Sequence, residues 1–274
     1  MNFLQAVILG LVQGATEFVP ISSSAHLVLV PWALGWPSPD LAYDTMVHWG
    51  TLVAVLAYFW KDLWQLLRAW AISLPALLRA RALPQAPEAC LAWWIILGTL
   101  PAAILGALFE DFFASLFANP QAVGAFLLVT AVLLASSERL GPRVRALEQM
   151  TISDALLIGL AQAAAIAPGI SRSGATISMG LARGLQREAA ARFSFLLSTP
   201  IILGAGLLQL KALAETSGAL SRAPLLSAGF LAAAISGYLC IRFLLSYLRR
   251  GRLYIFAIYC ALLGFAVLLA TALR

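Results

Sequence analysis

The side chains that could do chemistry in this chain are few, and they gather in two short stretches. The first runs Gly10-Leu11-Val12-Gln13-Gly14-Ala15-Thr16-Glu17-Phe18-Val19-Pro20-Ile21-Ser22-Ser23-Ser24-Ala25-His26, and the second runs from Gly159 through Gln162 and Pro168-Gly169-Ile170-Ser171-Arg172-Ser173-Gly174-Ala175-Thr176. A shift of 149 positions superposes Gly10 on Gly159, Gln13 on Gln162, Ile21 on Ile170, Ser22 on Ser171 and Ser24 on Ser173. Each copy is an apolar run, a proline-containing break, a serine cluster and a second apolar run. The first copy adds a carboxylate and an imidazole; the second adds a guanidinium.

Glu17 lies inside an apolar run, where a carboxylate is expensive and marks a functional site by default. The competing reading is a helix-end carboxylate neutralised by a structural arginine. Gln13, four residues earlier, shares its helix face. It could hold Glu17 or a metal-bound water, or simply seal a helix contact. His26 could serve as acid, base, nucleophile or ligand near neutral pH. His48 has no partner motif around it and reads as structural, with a site-facing role left open. Ser22, Ser23 and Ser24 can cap a helix or present a nucleophile. In the second stretch, the Pro168-Gly169 break exposes backbone N–H groups. The hydroxyls of Ser171, Ser173 and Thr176 and a helix N-terminus could then cradle an anion. Arg172 supplies a fork suited to phosphate oxygens, or pairs with Glu17 across the repeat. The set fits phosphoryl transfer from a lipid phosphate. Glu17 would hold a divalent cation, Arg172 would stabilise the transferring group, and Ser23 or His26 would attack or move protons. There is no P-loop or dinucleotide fingerprint.

These residues must be positioned within a bilayer. The 274 residues are 62% hydrophobic and 11% charged, with mean hydropathy +0.90, against about 25% charge in soluble domains. The expected fold is an all-α polytopic membrane protein; the apolar runs are continuous, which excludes the alternation of a β-barrel. Residues 1–36 are broken at Pro20 and Pro31 and are too short on either side to span comfortably. They read as a re-entrant helix–loop–helix, since broken helices survive at membrane depth only where they line a polar cavity. Spans are expected near 43–60, 90–109 and 121–137, with a mixed loop after Lys61-Asp62 and a short loop from Glu110 to Pro120. The Gly141-Pro142 region divides a first repeat (1–140) from a second (150–274). The second repeat holds a re-entrant unit over 152–183, capped by Thr151 or Ser153 and ending its first helix near Pro168-Gly169, then spans near 190–210, 225–246 and 253–272.

Each half therefore makes an odd number of crossings: six transmembrane helices plus two re-entrant units, related as an inverted-topology repeat. Lys61, Arg68, Arg79, Arg81, Arg139, Arg143, Arg145, Arg183, Arg187, Arg192, Arg249, Arg250 and Arg252 fall on one side, and Lys211, Arg222 and Arg274 on the other. The rich side is cytoplasmic by the positive-inside rule, so both termini lie outside. The same rule accounts for the net charge of +6 without a nucleic-acid partner. Cys90, Cys240 and Cys260 form no metal or redox pattern and read as small hydrophobes.

On Gln13-Gly14-Ala15-Thr16-Glu17, Pro20, Ser22-Ser23-Ser24-Ala25-His26 and Pro168-Gly169-Ile170-Ser171-Arg172-Ser173-Gly174-Ala175-Thr176, the chain resembles the bacitracin-resistance type of undecaprenyl-diphosphate phosphatase, over essentially its whole length. The resemblance implies removal of a phosphate from the C55 isoprenyl diphosphate carrier, recycling it for peptidoglycan synthesis. It also implies bacitracin resistance, a divalent cation (Mg²⁺ or Ca²⁺), a polyprenyl diphosphate as partner, and a bacterial inner-membrane site facing the periplasm. A homodimer is left open. Glu17, Ser23, His26, Ser171, Arg172, Ser173 and Thr176 fall on the family's functional positions. Many members carry Glu where this chain has Gln13, so a cation here would meet one carboxylate and an amide oxygen. A transporter or flippase of the isoprenyl phosphate would use the same scaffold. The asymmetry of the two stretches, Glu17 and His26 against Arg172, favours the enzyme, and a non-catalytic lipid binder would need neither set.

Overall fold

The computed structural model describes residues 1–80, 84–117, 119–215 and 222–273. Arg81 and Arg274, with the side chains of Arg79 and Lys211, lie outside the described residues. The regular elements of the described chain are helices: α1 Phe3–Phe18, α2 Ser23–Leu34, α3 Leu41–Tyr58, α4 Trp60–Ala80, α5 Pro87–Leu108, α6 Glu110–Phe117, α7 Pro120–Ser137, α8 Ile152–Ala164, α9 Arg172–Ala182, α10 Arg187–Glu215, α11 Ala223–Leu248 and α12 Tyr254–Ala272. Five helices are long and apolar enough to cross a membrane: Pro87–Leu108, Pro120–Ser137, Arg187–Gln209, Ala223–Leu248 and Tyr254–Ala272. The protein is therefore a multi-pass membrane protein.

The expected span at 43–60 is a helix, α3, but it is not among those five. Asp44, Thr45 and His48 make its first half too polar. The mixed loop expected after residue 60 is instead helix α4. Leu63, Leu66 and Trp70 recur at helical spacing and pack on the core while Lys61, Gln65 and Arg68 stay exposed. The prolines at 75, 84 and 87 had masked that periodicity; Pro75 sits inside the helix. The short loop at 110–120 likewise contains α6.

Both polar stretches are helix–break–helix. Asn2 and Gln5 form a reciprocal capping box at the start of α1, and Thr151 and Asp154 do the same for α8. At 1.5 Å per residue, α1 is about 24 Å long and α8 about 20 Å, both short of a hydrocarbon core of about 30 Å. The first break covers Val19 to Ser22. The second opens at Ala165, earlier than the expected end at Pro168-Gly169, and runs to Ser171, the N-cap of α9.

Glycines set the close packing around both units. A Cβ on Gly10 would stand 2.4 Å from the Gly229 carbonyl oxygen of α11, and one on Gly159 would stand 2.4 Å from that of Gly98 in α5. In the core, Phe18 from α1 meets Phe195 of α10 edge to face at 5.3 Å. The basic end is tied by ion pairs. Arg145 and Arg183 grip Asp154, and Arg192 pairs with Asp62. Glu138, just past α7, accepts from Arg187 and from the Leu253 N–H before α12. Burial alone would raise the Glu138 pKa, but the Arg187 and Leu253 donors and the Arg143 charge outweigh it and hold the carboxyl below its usual value. At the opposite end Arg222 pairs with Asp40.

Candidate active site

The two breaks meet on one carboxylate. Glu17 is the penultimate residue of α1 and is buried. One carboxylate oxygen accepts from Arg172 Nη2. The other accepts from Gln13 Nε2 at 3.0 Å and from the Ser23 hydroxyl at 2.5 Å. Ser23 is the first residue of α2 and Arg172 the first residue of α9. Two helix N-termini, each carrying partial positive charge, thus converge on the same anion. The local reason is the breaks themselves: each restarts its helix at a serine N-cap. Ser22 Oγ accepts from the Ala25 N–H, and Ser171 Oγ accepts from the Gly174 N–H.

Ser22 has φ +72°, a left-handed conformation unusual for serine. Such a residue costs of the order of 1–3 kcal/mol and persists only where its surroundings hold it. Here its carbonyl accepts from His26 Nδ1 at 2.7 Å, and its hydroxyl lies 3.1 Å from Ser24 Oγ. A carbonyl can only accept, so Nδ1 carries the hydrogen. His26 Nε2 lies 2.7 Å from the Tyr259 hydroxyl of α12, with the two rings nearly parallel. Both nitrogens of His26 are therefore engaged away from Glu17.

The second break is braced by α7. Thr130 Oγ1 donates to the Gly169 carbonyl at 2.9 Å and accepts from the Ser171 N–H at 3.0 Å. Gly169 has φ +103°, and a Cβ there would stand 2.5 Å from the Val123 carbonyl oxygen, so only glycine fits. Ser173 Oγ lies 3.2 Å from Ser171 Oγ and reaches across to the Val19 carbonyl of the first break at 3.4 Å. Thr176 Oγ1 is 2.7 Å from Ser194 Oγ of α10 and donates back into its own helix. Thr176 thus fixes α9 to α10 from a turn below the Glu17 contact.

Residues 6–266 match the family described as bacitracin resistance protein BacA. The chain belongs to that family. It is similar, end to end, to proteins named undecaprenyl-diphosphatase. It is 46% identical to the one from Methanosphaera stadtmanae, covering 96% of each chain. It is 43% identical to that of Moorella thermoacetica over the whole of both. It is 47% identical to that of Rubrobacter xylanophilus, covering 94% of each.

Within this BacA-family fold, the residues singled out in the sequence divide into three groups. Gln13, Glu17, Ser23 and Arg172 form one connected set. Ser22, Ser24 and His26 form a second beside it. Gly169 and Ser171 build the second break, and Ser173 and Thr176 lie just behind it in α9. Tyr259, Thr130 and Ser194 were missed. Each lies in a helix that carries other hydroxyl side chains, and nothing local distinguishes it from them. His48, read as structural, donates from Nδ1 to the Asp44 carbonyl of its own helix at 2.7 Å.

Two buried polar atoms in the first set have no hydrogen-bond partner, Gln13 Oε1 and Arg172 Nη1. One accepts and the other donates, so the set has spare capacity for both a cation and an anion. Among the described residues no three His, Cys, Asp or Glu side chains cluster. The donor set therefore does not suit an all-protein metal cage. It does suit a cation of the Mg²⁺ type, bound through one carboxylate and completed by substrate phosphate oxygens.

Proposed function

We propose that this protein hydrolyses undecaprenyl diphosphate to undecaprenyl phosphate and phosphate, returning the lipid carrier to peptidoglycan synthesis and conferring bacitracin resistance. The observation that carries the reading is the meeting of Ser23 and Arg172, the first residues of two broken helices, on the buried Glu17. Hydroxyl, base and guanidinium are the parts a phosphoryl transfer needs, and here they are in contact.

Ser23 is the attacking group this geometry favours. Its O–H already points at Glu17 Oε2, whereas both His26 nitrogens are occupied. The Ser23 oxygen bonds to the terminal phosphorus while Glu17 accepts its proton. The bridging P–O bond breaks, and its electron pair leaves with undecaprenyl phosphate. Arg172 exchanges Glu17 for the equatorial phosphoryl oxygens, and its unpartnered Nη1 supplies a further donor. Water then cleaves the phosphoserine, with the acid–base groups working in reverse. Ser22, Gly169, Ser171, Ser173 and Thr176 hold the two helix N-termini that receive the headgroup. A divalent cation, Mg²⁺ or Ca²⁺, would be held by Glu17 and Gln13 and would neutralise phosphate charge.

The same reading places six spans and two re-entrant units in an inverted repeat. Exchanging α1 with α8, α3 with α10, α5 with α11 and α7 with α12 carries the α1–α11 packing onto α8–α5. It leaves the α7–α12 and α3–α10 packings in place. The matched glycine contacts at Gly10 and Gly159 support this two-fold relation. With the basic end cytoplasmic, the termini and the headgroup site of this inner-membrane protein face the periplasm. Single-cysteine labelling from either side tests it: Gly35 and Asn2 should both label from outside, and labelling of Gly35 from inside would remove the re-entrant assignment.

Purified protein in detergent should release phosphate from a long-chain isoprenyl diphosphate and lose that activity with EDTA. Release unaffected by EDTA would remove the cation. Binding of the lipid by folded protein without any release would favour a carrier of isoprenyl phosphate instead.

A further inference from the structure

The end helix of each half braces the break of the other. From α7, Thr130 holds the backbone of Gly169 and Ser171 in the second break. From α12, Cys260 is buried with its Sγ 3.8 Å from the Pro20 carbonyl of the first break. The residue beside it, Tyr259, reaches a side chain rather than backbone: its hydroxyl lies 2.7 Å from His26 Nε2. The position that matches His26 in the second stretch is Ala175, so among the described residues this contact has no counterpart there. His26 is buried and its other nitrogen is committed to the Ser22 carbonyl, so Nε2, whose partner is a hydroxyl able to donate or accept, is the ring nitrogen able to exchange a proton.

We propose that Tyr259 is a positioning residue for the phosphatase reaction, holding the His26 ring in the Nδ1–H tautomer with Nε2 as the proton-exchanging nitrogen. A hydroxyl suits this task in both states of the ring. It donates to Nε2 of the neutral imidazole and accepts from the N–H of the imidazolium. Holding the ring in either state leaves Ser22 fixed in its left-handed conformation and α2 starting at Ser23. The proposal rests on the diphosphatase reading of the site, so one arm of its test does not use activity.

Tyr259→Phe keeps the ring and removes the hydroxyl. Diethyl pyrocarbonate acylates the unprotonated nitrogen of a neutral imidazole, and the chain has 2 histidines, so peptide mass spectrometry can follow His26 with His48 as internal control. The acylation rate of His26 relative to His48 should rise severalfold in Tyr259→Phe. In phosphate release, kcat should fall about tenfold with KM unchanged, the size expected for one lost hydrogen bond to an ionising group. In a His26→Ala background the same substitution should change kcat less than about twofold, because it acts through the ring that is no longer there. An unchanged His26 acylation rate, or an equal loss of kcat in the His26→Ala background, would overturn the proposal. If the wild-type protein releases no phosphate, the diphosphatase reading fails, while the acylation arm still decides whether Tyr259 covers Nε2.

Discussion

Glu17→Gln is expected to lower phosphate release by about 10³-fold, the larger part of what a positioned proton acceptor supplies. The substitution keeps the shape of the side chain and the means to accept from Ser23 and Gln13. It removes the charge that takes the Ser23 proton. Ser23→Ala should cost a similar factor, and the double variant should be no worse than either single one, because base and nucleophile act as a unit. The alternative is that Glu17 only neutralises Arg172. That alternative predicts a different pair of measurements. Stability would fall by about 3–5 kcal/mol, as when one member of a buried ion pair is removed, while activity in the surviving folded fraction would stay near wild type. Steady-state kinetics on monodisperse protein, with melting in the same detergent, separates the two.

How much of this site could be read in advance depended on distance along the chain. The Gln13–Glu17 contact follows from i, i+4 spacing on one helix, and the serine caps follow from the breaks they sit in. The Glu17–Arg172 pair joins residues 155 positions apart. It was still legible, because two charges inside apolar stretches of a membrane protein have few other places to go. Tyr259 is 233 positions from His26, and a tyrosine in an apolar helix is ordinary. Only the packing of α12 against the first break gives it a role. The misread segments failed for local reasons. Prolines at 75, 84 and 87 suggested a loop, yet Pro75 is tolerated within α4 because Leu63, Leu66 and Trp70 bury one face against the core. The second break opens at Ala165 rather than at Pro168 because the turn that presents Gly169 to Thr130 needs several residues outside the helix.

Arg172→Lys tests whether the second break supplies a charge or a shape. Lysine keeps one positive charge at the start of α9 and can still pair with Glu17, so folding should change little. What it lacks is the planar fork. In the resting site one guanidinium nitrogen donates to Glu17 while Nη1 is buried and unpartnered. That second donor has a use only when phosphoryl oxygens arrive, and most of its value then comes in the transition state, where charge on those oxygens is redistributed. An interaction made only there lowers kcat and kcat/KM together when it is removed. The expected result is a fall of about 10²-fold in both, comparable to losing one donor of an oxyanion hole, with KM nearly unchanged. Arg172→Ala should fall by a further factor of about ten and also lose stability, because Glu17 would then be buried without its partner. Full activity in Arg172→Lys would mean that a point charge suffices and that the spare donor is idle. A rise in KM alone would mean that Arg172 captures the headgroup without taking part in the transfer. Arg172 is joined to Ser23 through a single carboxylate, so a purely capturing arginine would leave Ser23 and Glu17 without the phosphoryl clamp that their contact requires.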